Sequence, residues 1–236
     1  MPAGRLLIVV PTYAERDNLE ALFAGIRQHR PDADILVVDD NSPDGTAEWA
    51  ETLGTRLGRI AVLRRGARLG IGSAYRDGFR RGLAEGYDLL VSMDADLSHA
   101  PSYLPALVAL AETADVAIGS RYVKGISVVN WDLRRLALSV GGNAYTRLVT
   151  GLPVRDCTSG FQCFRREVLE KMDVGRLRSN GYAFLVELKF LAHRLGFRLA
   201  ELPIIFIERR LGKSKNGLAN VFRSMWTVSC LPLRRT

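Results

Sequence analysis

The chain has 236 residues, 47% of them hydrophobic and 25% charged, with a formal net charge of +8. That length suffices for one large α/β domain with a full core, and no run approaches the ~18 charge-free apolar residues of a membrane-spanning helix. The positive excess leaves open nucleic acid, an anionic membrane surface, a phosphorylated substrate, or solubility alone.

The stretch Met1 to Arg5 runs straight into a strand and lacks the apolar run and cleavage site of a signal peptide. Leu6 to Val10 is a continuous apolar run ending at Pro11, as expected of a strand buried on both faces. Leu19, Leu22, Phe23 and Ile26 then follow helical spacing. A second strand, Ile35 to Val38, ends in Asp39-Asp40-Asn41-Ser42-Pro43-Asp44-Gly45-Thr46, a loop dense in turn formers and helix caps. A helix through Trp49 and Leu53 follows, then a third strand, Ile60 to Leu63. Gly66, Gly70 and Gly72 surround Arg68 and lead into a helix from about Ser73. The fourth strand, Tyr87 to Met93, carries Asp94 and Asp96 at its end.

The second half has a different texture. Its expected elements are a helix from about Tyr103, a short strand over Asp115 to Ile118, a helix opened by Trp131 and Asp132, and a polar loop from Arg155 to Phe161. A helix with a strong apolar face runs from about Phe184 to Leu195, and a last strand, Leu199 to Ile207, is interrupted by Pro203. The residues from 216 to 236 form an amphipathic tail, whether packed on the domain or touching a membrane. No repeat, low-complexity stretch or linker interrupts the chain, so one domain over 1–236 is expected. Cys157, Cys163 and Cys230 are an odd set without metal-site spacing, which predicts free thiols in a reducing cytosol.

Four strand–helix alternations predict an α/β, mostly parallel, doubly wound sheet with helices on both faces. Ligands of such sheets bind beyond the carboxyl ends of the strands. Four polar clusters fall there: Thr12-Tyr13-Glu15, Asp39-Asp40, Gly66 to Gly72, and Asp94/Asp96. Asp94 and Asp96 place two like charges in one small volume, which is unfavourable unless a divalent cation sits between them; oxygen ligands suit magnesium or manganese. A turn or helix cap is the plainer reading of the pair alone. No glycine-rich dinucleotide fingerprint follows the first strand and no phosphate-loop motif occurs, so a bound nucleotide would be held by carboxylates and a metal.

Val10 to Leu19, Val38 to Thr46 and Met93 to His99, taken together, resemble family 2 glycosyltransferases. Gly119-Ser120-Arg121-Tyr122, Asp156 to Phe161, and Arg209 with Gly212-Lys213-Ser214-Lys215 narrow the resemblance to the dolichyl (polyprenyl) phosphate mannose synthases. The match runs from about Leu6 to Lys215. Ala14 departs from it, since Asn is common there. The resemblance implies a GT-A nucleotide-sugar fold and inverting transfer of mannose from GDP-mannose to a polyprenyl phosphate, with Mg2+ or Mn2+. It implies a donor site of Pro11, Tyr13, Glu15, Val38, Asp40, Asp94, Ala95, Asp96, Arg121, Arg209 and Lys215. The implied metal ligands are Asp94, Asp96 and Ser98. Arg121, Arg135, Ser139 and Arg209 would handle the acceptor phosphate, with Asp94, Asp96, Arg121 and Arg209 as the catalytic set.

The chemistry fits these residue types. Departure of a nucleoside diphosphate places negative charge on its β-phosphate, which a metal and an arginine would stabilise. A phosphate monoester acceptor has a second pKa of about 6 and so needs no strong base at neutral pH. His99 therefore reads as structural. Asp156 is expected to orient Arg135 or the sugar, and Tyr182 and Glu187 to approach the sugar. The acceptor's apolar tail implies peripheral attachment to the cytoplasmic face of a membrane, directly or through a membrane-protein partner. The competing readings are a polyprenyl phosphate glucosyltransferase using UDP-glucose or another UDP-sugar and, more remotely, a non-catalytic nucleotide or nucleic-acid binder.

Overall fold

The computed structural model describes residues 4–207 and 218–233, with side chains in the last segment described from Ser224 onward. Its strands are β1 Leu6–Thr12, β2 Asp34–Asp39, β3 Ile60–Arg64, β4 Leu89–Ser92, β5 Val116–Ser120, β6 Val128–Val129, β7 Gln162–Arg165, β8 Leu199–Pro203 and β9 Phe206–Ile207. Its helices are α1 Arg16–His29, α2 Thr46–Leu57, α3 Ile71–Ala84, α4 Leu104–Leu110, α5 Leu133–Thr150, α6 Arg166–Lys171, α7 Tyr182–Arg194 and α8 Leu218–Cys230. Seven strands form one sheet in the order β3-β2-β1-β4-β7-β5-β8, and β6 pairs with β9 in a separate ribbon. All pairs are parallel except those of β7, which runs antiparallel to both β4 and β5.

The continuous apolar run of β1 feeds two cores at once. Leu7 and Val9 face a cluster built with α3, α6 and α7, while Leu6, Ile8 and Val10 face one built with α1, α2 and α4. Helices cover both faces, which is why the strand does not alternate with polar residues. The sheet is thus mixed α/β and mostly parallel, as the strand–helix alternation predicts.

Three local expectations are corrected. Pro11 does not end β1: it pairs in register with Val38 of β2. The pairing of β1 with β4 stops at Val9 and Ser92, so the missing Pro11 N–H falls where no ladder partner remains. The polar loop before Phe161 leads into β7 and α6, neither of which the sequence pattern announced. The last strand is split, because after Pro203 the chain leaves the main sheet and Phe206 joins β6 instead.

Helix α3 crosses the sheet closely at Gly78. A Cβ there would overlap Val9 Cγ1 and lie 3.2 Å from Val38 Cγ2. Helix α5 is inverted relative to an ordinary surface helix: its buried residues are Asn143, Thr146 and Thr150, while Leu133 (82%) and Leu148 (84%) are almost fully exposed. Helix α8 packs against α5 and α7, with Val228 buried and Trp226 exposed.

We predict that Gly78→Ala destabilises the protein by about 1–3 kcal/mol through overpacking between α3 and β1. Urea denaturation measures this, and an unchanged midpoint would contradict the close approach.

Candidate active site

The carboxyl ends of β1, β2 and β4 open into a cleft of about 320 Å³. Pro11, Thr12, Tyr13 and Glu15 line it from β1, Asp40 from β2, and Asp94, Ala95 and Asp96 from β4. The β3–α3 connection adds Arg68, Gly70 and Ile71, α3 adds Ala74, and the start of α7 adds Gly181, Tyr182 and Leu185. Seven residues of the expected donor site therefore share one cleft. Val38 is not among them. Its side chain is fully buried in the core under α3, because the pleat of β2 turns it inward. Arg121 is also absent from the lining, and Arg209 and Lys215 lie outside the described residues.

The two carboxylates are held by different means. Tyr75 on α3 donates its hydroxyl to Asp94 Oδ1 at 3.0 Å. Burial first, and then the Asp94 charge, push the Tyr75 phenol well above its ordinary pKa, so it stays a donor. The ring is clamped between Phe79 and Phe184. Asp96 Oδ1 accepts from Ser98 N–H at 3.1 Å, and the chain turns back through Leu97 at φ +62°. The Ser98 hydroxyl is buried, without a hydrogen-bond partner among the described residues, and does not line the cleft. His99 is buried and stacked on Phe161; its Nδ1 accepts the Asp94 backbone N–H at 3.1 Å, so neutral His99 carries its proton on Nε2. His99 shapes the turn that presents Asp94.

No group of three His, Cys, Asp or Glu side chains with metal-binding spacing exists among the described residues. Two hard carboxylates facing an open cleft fit a divalent cation such as magnesium or manganese, whose other oxygen ligands would come from substrate or water.

Asp40 is committed to the scaffold. Its carboxylate pairs with Arg65 and accepts Gly70 N–H at 2.7 Å, which pins the glycine-rich connection against β2. Arg65 is itself buried and bridges onward to Ser73 and Asp77. Arg68 reaches over Tyr13, its guanidinium carbon 4.1 Å from the ring centroid. It is the sole Lys or Arg among the described residues that line the cleft, and none of the resembled motifs includes it. Ala14 sits at φ +55°, a left-handed conformation that Asn adopts more readily, so its departure from the resembled motif is conformational.

A second constellation lies beside the cleft. Arg121, at the end of β5, grips Asp156 through Nε at 2.7 Å and Nη2 at 2.6 Å, and its backbone N–H donates to the same carboxylate at 3.0 Å. Burial opposes ionisation of Asp156, but the charge and hydrogen bonds of Arg121 outweigh it and hold its pKa below the ordinary value. Asp156 thus orients Arg121, and not Arg135 as expected. The Arg135 guanidinium lies 4.3 Å over Trp131, and Ser139 Oγ accepts from Tyr122 OH at 2.8 Å. Phe206 joins the two regions, edge-on to His99 at 5.8 Å and to Trp131 at 5.6 Å. Glu187 does not reach the cleft; it is buried and accepts from Ser179 N–H at 3.0 Å.

The glycosyl transferase family 2 model matches residues 7–173. The chain belongs to this family. It is 45% identical over 230 residues to a polyprenol monophosphomannose synthase of Mycolicibacterium smegmatis, covering 97% of this chain and 87% of that one. It is also 45% identical over 211 residues to an undecaprenyl-phosphate mannosyltransferase of Micrococcus luteus, covering 89% and 87%. Among solved structures it is similar in fold to Mycobacterium tuberculosis glucosyl-3-phosphoglycerate synthase with Mn2+, UDP-glucose and phosphoglyceric acid (TM-score 0.70, 18% identity, 99% of this chain and 81% of that one). The mannosyltransferase PcManGT of Pyrobaculum calidifontis, with GDP-Man and Mn2+, gives a TM-score of 0.61 at 18% identity, covering 98% and 70%. The fold is therefore GT-A and the protein is a glycosyltransferase.

We expect Tyr75→Phe to lower sugar-transfer kcat/KM roughly tenfold while leaving the melting temperature within a few degrees, since only the hold on Asp94 is lost; full activity would show that Asp94 needs no such support. Asp156→Asn should cost about 3–5 kcal/mol at pH 7 by stranding buried Arg121. A carboxylate with a depressed folded pKa contributes fully above its ordinary value, near 3.8, and loses that contribution as pH falls through the lower folded value. The gap between wild type and variant in urea melts should therefore hold at pH 5 and shrink only in strong acid. A gap already closed at pH 5 would contradict the pairing.

Proposed function

We propose that this protein transfers mannose from GDP-mannose to a polyprenyl (dolichyl) phosphate, with inversion, as a single catalytic domain at a membrane surface. The observation that carries the reading is the pairing of a carboxylate cleft at the end of β4 with an arginine constellation beside it, in a family 2 chain. The names of the two curated relatives, both mannosyl transferases to polyprenyl phosphates, support it.

In this reading Tyr13 and Glu15 face the guanosine, with Asp40 holding the adjoining loop. Asp94 and Asp96 would hold a divalent cation, magnesium or manganese, which would supply charge neutralisation at the diphosphate. A phosphate oxygen of the acceptor attacks the anomeric carbon and the bond to the GDP oxygen breaks. The nucleophile is already ionised near neutral pH, so no proton must be removed. Two observations fit that economy of bases: Asp156 is locked on Arg121, and His99 Nδ1 is occupied by the Asp94 N–H. Arg121, Arg135 and Ser139 serve the acceptor phosphate, while Arg209 and Lys215 extend the cationic set from outside the described residues.

The outer face of α5 supports peripheral attachment. Leu133, Leu138, Val140 and Leu148 are exposed on the helix whose inner side carries Ser139, and Trp226 lies exposed on α8, which packs against it. No helix among the described residues is long and apolar enough to cross a membrane. A cleft lined by four carboxylates and one arginine disfavours a nucleic-acid ligand.

Radiolabelled mannose should pass from GDP-mannose to a short polyprenyl phosphate and stop on adding EDTA, and Asp94→Ala or Asp96→Ala should lower the rate about 100-fold or more. Transfer from a UDP-sugar alone would replace the donor assignment, and intact transfer in the aspartate variants would remove the metal role. Leu133→Ser with Leu148→Ser should weaken sedimentation with anionic vesicles several-fold while sparing transfer to a short, soluble acceptor. Unchanged sedimentation would move the membrane contact elsewhere.

A further inference from the structure

The indole of Trp131 stands among the acceptor-side cations. The Arg135 guanidinium carbon lies 4.3 Å from its ring centroid and that of Arg121 lies 5.7 Å from it. The ring meets Phe206 edge to face at 5.6 Å. Its Nε1–H is buried and has no hydrogen-bond partner among the described residues. A phenylalanine would keep the ring, its edge contact and a face for both arginines, without an unpaired buried donor. Packing and cation–π attraction therefore do not explain why this ring is an indole. The donor lacks a partner among the described residues, and the ring that carries it lies under Arg135 and Arg121, two cations suited to a phosphate.

We propose that Trp131 is a ligand of the acceptor phosphate, its Nε1–H donating to a phosphate oxygen that the Arg121 and Arg135 guanidinium groups draw between them. This rests on the acceptor reading given above. The N–H is covered in this structure, so the phosphate reaches it as it draws the Arg121 and Arg135 guanidinium groups off the ring, and one of its three acceptor oxygens then takes the N–H. The indole adds a neutral, direction-sensitive donor to two charges, and so favours a phosphate positioned with one oxygen toward α5.

Trp131→Phe and Trp131→Ala test this in the full-length protein, with GDP-mannose and farnesyl phosphate varied separately and melting temperatures recorded. Trp131→Phe should raise the KM for farnesyl phosphate about tenfold, leave the KM for GDP-mannose within about twofold, and melt no lower than wild type. Trp131→Ala should raise the acceptor KM at least as much and melt lower. An unchanged acceptor KM in Trp131→Phe would overturn the proposal. So would an equal rise in the GDP-mannose KM, or a lowered melting temperature, since either would mean that the N–H serves the donor side or the fold. If the wild type transfers no mannose at all, the functional reading fails by itself. Equilibrium binding of farnesyl phosphate to wild type and Trp131→Phe then decides the indole's role, equal affinities counting against it.

Discussion

The Arg121–Asp156 pair is the interaction on which the site depends. Two opposite charges leave water there, and such a pair is stable only if hydrogen bonds replace hydration. They do: Asp156 accepts three N–H groups from Arg121 alone, and its own backbone N–H is taken by Glu201 at 2.9 Å. Lys189, fully buried on α7, donates to Ser159 O at 2.8 Å and braces the same loop from behind. Burial pulls that amine down to about 8, against the pull of Asp156. The pair joins the end of β5 to the loop before β7. That loop brings Gly160 to the carboxylate end of β4, where a Cβ would lie 3.7 Å from Asp94 Oδ1.

The direction of β7 explains how two halves of different texture share one edge. In a parallel sheet only the segments following strands reach the carboxyl edge. Because β7 runs antiparallel to β4 and β5, the segment preceding it arrives there instead. Asp156, Thr158 and Gly160 thereby stand beside Asp94 and Arg121, although they lie before their strand and not after it.

What the sequence disclosed follows the same logic. Strands β1 to β5 and helices α1 to α4 were legible because each carries its own period or apolar run. The cleft carboxylates were legible because strand ends are where such sheets bind ligands. β7 was not, since four residues set between a polar loop and α6 show no period of their own and owe their pairing to two distant strands. Tyr75 reads in sequence as one more apolar position of α3, and only the fold reveals that its hydroxyl ends on Asp94. Val38 shows the converse: a residue inside a recognisable motif, turned into the core by the pleat. Asp156 does hold an arginine, but which one depends on the antiparallel pairing of β5 with β7.

Helix α5 has one more consequence. Leu133, Leu138 and Leu148 face outward while Ser139 and Asn143 face the Arg121 region, so the two sides are about one helix diameter apart, ~10 Å. If the acceptor is reached across that thickness, the catalyst meets its lipid in two dimensions. The relevant concentration is then lipid per unit area of surface, and diluting a vesicle suspension would leave the rate per bound enzyme unchanged. Diluting the acceptor within the bilayer would lower it. Surface occupancy and surface density become separate variables, and the inverted face of a single helix is what separates them.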